Sequence, residues 1–363
     1  MRSTKKKVRV LIVEDSLVVR TALEYIIERH PHLTLAGTAT SAEQALAMLD
    51  DVAPDVISMD IRLPGMNGLE ATRRIMSERP TPIVVISSAI EDESLNISMN
   101  ALRAGALSVV EKPVGTTHDD YERIAKHICT QLYIMSEVRV VRQRFQTPAM
   151  ARAFPAQIGM PALRAVSAGT EGPYQLLGLV ASTGGPNALV KVLSALPADF
   201  PLPVCVVQHI GDDFVGGFAL WLGSLLRLPV SLAEDGEVPR PGHVYVAPAR
   251  HHLRVGRSMF HLGRDAQVST QRPSGTVLFS SMAASYGARA IGVLLTGMGD
   301  DGAAGLLAMR QAGGFTIAED ASTAVVYGMP AVAVQYGAVM AELPLDAIGS
   351  RLLHLVDIPA RMI

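Results

Sequence analysis

Two α/β domains, each a doubly wound parallel sheet, are predicted from three features of this 363-residue sequence. Short apolar runs alternate with amphipathic stretches in two separate arrays, the pattern of parallel strands covered by helices on both faces. The length exceeds that of a usual single-core domain. Between the arrays lies a stretch rich in proline, alanine and glycine, with Pro148, Pro155, Pro161 and Pro173. The expected division is an N-terminal domain over 1–135, a linker over 136–173 and a C-terminal domain over 174–363.

The first array predicts strands at 8–13, 33–38, 55–59, 82–87 and 107–110. Helices are expected near 16–29, 41–50, 68–78, 94–105 and 119–135, giving a (βα)5 order. Pro64-Gly65 and Asn67-Gly68 mark the loop after the third strand. The second array opens with a strand over 175–181, a glycine turn and a helix near 187–196. A strand at 203–208 and a helix near 214–226 follow. Shorter β-like runs across 229–262, including His243–Ala247, suit a β-hairpin insertion in a Rossmann-like domain. Strand 290–295, helix 301–312 and strand 315–318 restore the βα rhythm.

Composition narrows the function classes. Hydrophobic residues make up 49% and charged residues 18%, which suits buried cores and argues against extensive disorder. The net charge of −2 provides no whole-chain field for nucleic acid or an anionic membrane. The basic triplet Lys5-Lys6-Lys7 reads as a solvated tail, and no recognition helix follows the linker. The only cysteines, Cys129 and Cys205, lack metal-ligand spacing, so a reducing compartment is expected. The charged start runs through one apolar strand directly into acids, unlike a signal peptide. No apolar run approaches the ~20 residues that span a bilayer. The expectation is a soluble, cytoplasmic protein with no nucleic-acid partner and no membrane insertion.

Three carboxylates fall at strand ends in the first array: Glu14 and Asp15 after the first strand, Asp60 after the third. The carboxyl ends of parallel strands line the crevice where ligands bind. Three converging acids repel one another unless a cation sits between them, and hard oxygen ligands in small number suit Mg²⁺. Ser87 ends the fourth strand with a hydroxyl, and Lys112, followed by Pro113, ends the fifth with a point positive charge. Any one acid alone also reads as a helix cap. In combination, across 8–135, the set resembles the response-regulator receiver family. That resemblance implies that Asp60 accepts a phosphoryl group from a sensor histidine kinase. It further implies that Glu14, Asp15, Asp60 and the Arg62 carbonyl hold Mg²⁺, while Ser87 and Lys112 bind phosphoryl oxygens. One position departs from the pattern: Val109 stands where receivers carry an aromatic switch residue.

In the second array Val180-Ala181-Ser182-Thr183-Gly184-Gly185-Pro186 runs from a strand into a helix. Free N–H groups and the helix dipole there favour developing negative charge. Alone, the turn serves equally as the seat of a nucleophile or as a phosphate cradle. It is not the G-x-S-x-G elbow, because Val180 stands two residues before the serine. The next strand ends in Gln208-His209-Ile210, where the histidine alone reads as structural or as a base. Leu294–Gly302 follows a later strand and carries Asp300 and Asp301, either of which alone reads as a cap for helix 301–312. Three strand ends in one sheet can share a crevice, and serine, base and orienting carboxylate complete a nucleophilic acyl-transfer set. Their chain order differs from that of α/β-hydrolases.

These segments resemble the catalytic domain of the chemotaxis methylesterase (CheB) family over about 175–340. Further matches are Val244–Pro248, Arg272-Pro273-Ser274 and Val326–Pro330. The resemblance implies Ser182 as nucleophile, His209 as general base, Asp301 as its orienting acid, and Thr183 with the Met298 amide as oxyanion donors. Gly211, Val215, Thr276 and Glu319 depart from the family pattern without removing a catalytic atom. The implied activity is protein-glutamate methylesterase, with glutamine deamidation by the same acyl chemistry. Its substrate would be a methyl-accepting chemoreceptor, its output sensory adaptation, and the enzyme a monomer needing no cofactor for hydrolysis. The alternative is a receiver-controlled docking module with an idle hydrolase fold.

Overall fold

The structure, a computed structural model, describes residues 6–87, 100–113, 118–138, 140 and 174–356. The first half of the helix expected near 94–105 and nearly all of the 136–173 linker lie outside the described residues.

The first sheet comprises β1 (Val8–Val13), β2 (Leu33–Ala39), β3 (Val56–Met59), β4 (Ile83–Ser87) and β5 (Ser108–Glu111). All pairings are parallel, in the order β2-β1-β3-β4-β5. Helices α1 (Leu17–Arg29), α2 (Ala42–Val52), α3 (Gly68–Glu78) and α4 (His118–Met135) cover it. Alternating side chains serve both faces. Leu11 and Val13 of β1 join a cluster with Ala45 and Leu49 of α2 and with Ala71 and Ile75 of α3. Val10 and Ile12 pack with Leu23 and Ile27 of α1 and with Ile128 and Leu132 of α4. Burial on both faces explains the near-continuous apolar runs read as strands. Val109, at the switch position, is buried on the face it shares with Val85.

The second sheet has seven parallel strands in the order β14-β13-β12-β6-β7-β9-β8. In chain order the elements are β6 (Leu176–Ala181), α5 (Gly185–Ser194), β7 (Val204–Gln208), α6 (Val215–Leu225), β8 (Val230–Leu232) and β9 (Val244–Val246). The antiparallel hairpin β10 (His252–Val255) and β11 (Phe260–Gly263) leads into α7 (Gly275–Tyr286). Then come β12 (Ala290–Leu294), α8 (Ala303–Gln311), β13 (Phe315–Glu319), α9 (Met329–Gln335), β14 (Ala341–Leu343) and α10 (Leu345–Leu355). Leu177 and Leu179 of β6 cluster with Leu189 and Val192 of α5 and Ile348 and Leu352 of α10. Leu176 and Val180 face Leu278 and Met282 of α7 and Leu306 and Met309 of α8.

Helix α7, which periodicity alone did not single out, is capped by the Ser274 hydroxyl, which accepts from the Val277 amide. In each sheet the strand order reverses around one interior strand, β1 in the first and β6 in the second. Crevices open at the carboxyl ends beside such a strand. Both candidate sites occupy these positions.

Candidate functional sites

The first site joins the ends of β1, β3, β4 and β5. Ligand oxygens of Glu14, Asp15 and Asp60 lie within 4.8 Å of one another. Glu14 and Asp60 are buried, whereas Asp15 is exposed. Lys112 Nζ reaches Glu14 Oε2 at 2.9 Å and Asp60 Oδ2 at 3.0 Å, and the Ile61 amide donates to Asp60 Oδ1 at 2.8 Å. Ser87 is buried, and its carbonyl accepts the Lys112 amide at 3.1 Å. Burial lifts the Asp60 carboxyl above the ordinary aspartate range, despite the Lys112 ammonium and the Arg62 and Ile61 amides. Burial and the Asp60 charge lift Glu14 likewise. For Lys112, burial works against the charge, but Asp60 and Glu14 outweigh it and raise the ammonium's pKa. One lysine thus only partly compensates three carboxylates. An exposed acid beside two buried ones leaves a hard-oxygen donor set open to a hydrated cation.

The second site joins the ends of β6, β7 and β12. Ser182 follows β6, and its amide donates to the Thr296 carbonyl at 3.0 Å. A Cβ on Gly297 would lie 2.7 Å from Ser182 Cβ, so only glycine lets the β12 loop approach the serine this closely. The Gly297 amide donates to the Val326 carbonyl, and the Gly297 carbonyl accepts the Met329 amide at 2.8 Å, fixing the backbone that leads into Met298.

His209 Nε2 lies 2.9 Å from Asp301 Oδ2, and both side chains are nearly fully buried. Among the described residues no hydrogen bond joins the Ser182 hydroxyl to His209, and the ring nitrogen left without a partner is Nδ1. Asp301 does not cap its own helix, where Gly302 holds the N-cap position. Its carboxylate instead sits at the start of α7. It accepts from the Ser274 hydroxyl at 2.6 Å, the Gly275 amide at 2.6 Å and the Thr276 amide at 3.1 Å. Burial alone would raise its pKa. The hydrogen bond and charge of His209, with the Ser274 and Thr276 donors, outweigh burial and hold the carboxyl below the ordinary range. Asp301 is thereby kept anionic beside the imidazole.

Thr296, which sequence reasoning passed over, enters the site together with Glu319 and Thr276, two of the departures from the family pattern. Thr296 is a hub: its hydroxyl donates to the Thr183 carbonyl at 2.8 Å and accepts the Val326 amide at 2.9 Å. Its own amide donates to Glu319 Oε2 at 2.8 Å. Glu319 is fully buried, and burial raises its pKa despite that amide and Thr323. Of the departures from the family pattern, Thr276 joins the Asp301 cradle and also accepts the Gly302 amide through Oγ1 at 2.8 Å. The signal for α7 lay in Ser274 ahead of Leu278, Phe279 and Met282 at helical spacing.

Helix α4 of the first domain touches the second site. Gln131 Nε2 of this helix donates to Thr183 Oγ1 at 3.2 Å, and both residues are buried. Val325 and Val326, beside the β12 loop, pack against the cluster that holds Ile128 and Leu132 of α4.

Fold and sites together define a class: a receiver with an acidic pocket, joined to an α/β domain with a serine, histidine and aspartate at its switch point. The chain belongs to the CheB methylesterase family. The family model "CheB methylesterase" matches residues 177–352, and "Response regulator receiver domain" matches 10–120. A protein-glutamate methylesterase/protein-glutamine glutaminase of Paramagnetospirillum magneticum is 53% identical over 97% of this chain and 98% of its own length. One from Nitrosospira multiformis is 41% identical over 96% of this chain and 97% of its own. Among solved structures, the Thermotoga maritima CheB methylesterase catalytic domain is 37% identical. It covers 50% of this chain and 99% of its own, with a TM-score of 0.49. No described helix is long and apolar enough to cross a membrane.

Proposed function

We propose that the protein hydrolyses γ-methyl esters of glutamate on methyl-accepting chemoreceptors, and deamidates glutamine there, under control of phosphorylation at Asp60. The observation that carries this reading is the His209–Asp301 pair, buried beside Ser182 with the carboxylate held anionic.

In the hydrolytic cycle His209 takes the Ser182 proton through Nδ1 while the hydroxyl oxygen attacks the ester carbonyl. Asp301, on Nε2, orients the ring and stabilises the imidazolium. Thr183 and the Met298 amide hold the oxyanion. The tetrahedral intermediate collapses, the C–O bond to methoxide breaks, and His209 returns the proton to release methanol. Water then attacks the acyl-serine by the same route and frees glutamate. No step calls on a cofactor.

In the receiver Asp60 attacks the phosphoryl group of a sensor kinase's phosphohistidine, forming an O–P bond as the P–N bond breaks. Lys112 and Ser87 bind the phosphoryl oxygens. Glu14, Asp15, Asp60 and the Arg62 carbonyl fit Mg²⁺, which when bound supplies charge neutralisation for the transfer. The contact of Gln131 with Thr183 supports a resting state in which α4 stands against the oxyanion residue, its amide donating to the Thr183 hydroxyl. Phosphorylation then needs only a few kcal/mol of differential interaction to release it.

The test is methanol release from chemoreceptor membranes carrying methyl-labelled glutamates. Wild type should release label, and Ser182→Ala should lower the rate by at least about 10³-fold. No release by wild type would overturn the hydrolase reading and favour the docking module, and equal release by the two proteins would remove Ser182 from the reaction.

A further inference from the structure

We propose that Gln208 is a positioning residue: one side-chain amide clips the segment bearing the nucleophile to the segment bearing the base. The inference rests on the hydrolase reading above. Gln208 ends β7 and is 4% exposed. Its Nε2 donates to the Ser182 carbonyl at 2.8 Å and to the His209 carbonyl at 2.9 Å. A primary amide has two N–H donors, and both are used here. Chemistry fixes the orientation of the amide. Turned over, Oε1 would face two carbonyl oxygens with no proton between them.

The other end of the amide agrees with this orientation. Among the described residues Oε1 accepts no hydrogen bond, and it lies against Gly185, the first residue of α5. A Cβ on Gly185 would stand 2.1 Å from that oxygen, so glycine leaves the room the clip needs. The positive end of α5 is a favourable place for a carbonyl oxygen. The Ser182 carbonyl also accepts the Gly185 amide at 2.8 Å, and the His209 amide donates to the Ala181 carbonyl at 3.0 Å. Among the described residues, Gln208 is the one side chain that bonds the backbone of both Ser182 and His209.

The two clipped carbonyls belong to the residues whose side chains must meet for proton transfer. Loosening them alters the attack geometry, and a displacement of about 1 Å costs on the order of 100-fold in rate. Because Gln208 is buried behind the loop, substrate affinity is not its target.

The test uses full-length protein with two variants, Gln208→Met and Gln208→Glu. For Gln208→Met, kcat should fall by about 100-fold, with KM little changed. Hydrogen exchange should accelerate at the amides of 182–185 and 209–210. Gln208→Glu keeps the shape but loses both donors when ionised, and regains one O–H on protonation. His209, the next residue in the chain, is present in both proteins, so each variant rate is divided by the wild-type rate at the same pH. The ratio of variant kcat to wild-type kcat should therefore rise as pH falls. Wild-type kcat and unchanged exchange in Gln208→Met would overturn the proposal. If Gln208→Met does not fold, the Gln208→Glu ratio decides: a rising ratio supports the clip and a flat one overturns it. If wild type hydrolyses nothing, the hydrolase reading fails by itself, and exchange at 182–185 and 209–210 still tests the clip.

Discussion

The receiver pocket and the hydrolase crevice occupy the same place in two parallel sheets and treat a buried carboxylate in opposite ways. Asp60 keeps one lysine and a few amides as partners against burial, and its pKa rises. Asp301 collects an imidazole, a hydroxyl and two amides at a helix start, and its pKa falls. The first arrangement leaves an acid in need of a cation, as suits the phosphoacceptor role proposed for it. The second needs no outside charge, as suits an acid whose task is to stay ionised beside His209. Topology supplies the location, and the local donor count decides the chemistry.

Removing the charge at the second site should have the largest effect. Asp301→Asn should lower kcat by roughly 10³–10⁴-fold, because the amide favours the wrong tautomer of His209. Steady-state methanol release at saturating substrate measures it.

At the first site, Asp60→Asn should leave the resting rate intact and abolish the increase produced by a small-molecule phosphodonor. Couplings of this kind are about 5–150-fold. A stimulated rate surviving in Asp60→Asn would break the proposed link between the sites.

The bridge between the sites gives a smaller effect. Gln131→Ala removes one hydrogen bond to Thr183, worth about 0.5–1.5 kcal/mol. The unphosphorylated rate should rise by about two- to tenfold, with the phosphorylated rate unchanged.

The smallest effect concerns stability. Glu319 has its folded pKa raised above the unfolded value, so the native state binds that proton more tightly. Its contribution is greatest at low pH and declines as pH rises from the unfolded value through the folded one. Glu319→Gln should flatten that decline in urea midpoints. Asp301 has the opposite sign: its stabilisation is present above the unfolded value and is lost as pH falls through the depressed folded one.

Much of this was legible because parallel strands buried on both faces leave continuous apolar runs, and their ends are where Glu14, Asp15, Asp60, Ser182, His209 and Asp301 stand. The partners of those residues were not legible. The Asp301 cradle on Ser274, Gly275 and Thr276 spans 25 to 27 residues. The Glu319–Thr296 bond spans 23 residues, and Gln131–Thr183 spans 52. No local period records such pairings, which arise only when helices and loops dock. Helix α7 is a different case. Its cap and apolar spacing were present in the sequence, but a glycine and β-branched residues open it and small residues fill its other face.

The most direct measurement of the central claim is methanol release by the full-length protein, with and without a phosphodonor, beside the same pair for Asp60→Asn. A phosphodonor-dependent rise in wild type and none in the variant is the predicted result. An equal rise in both proteins, or none in either, would contradict control of the Ser182 crevice by the Asp60 pocket.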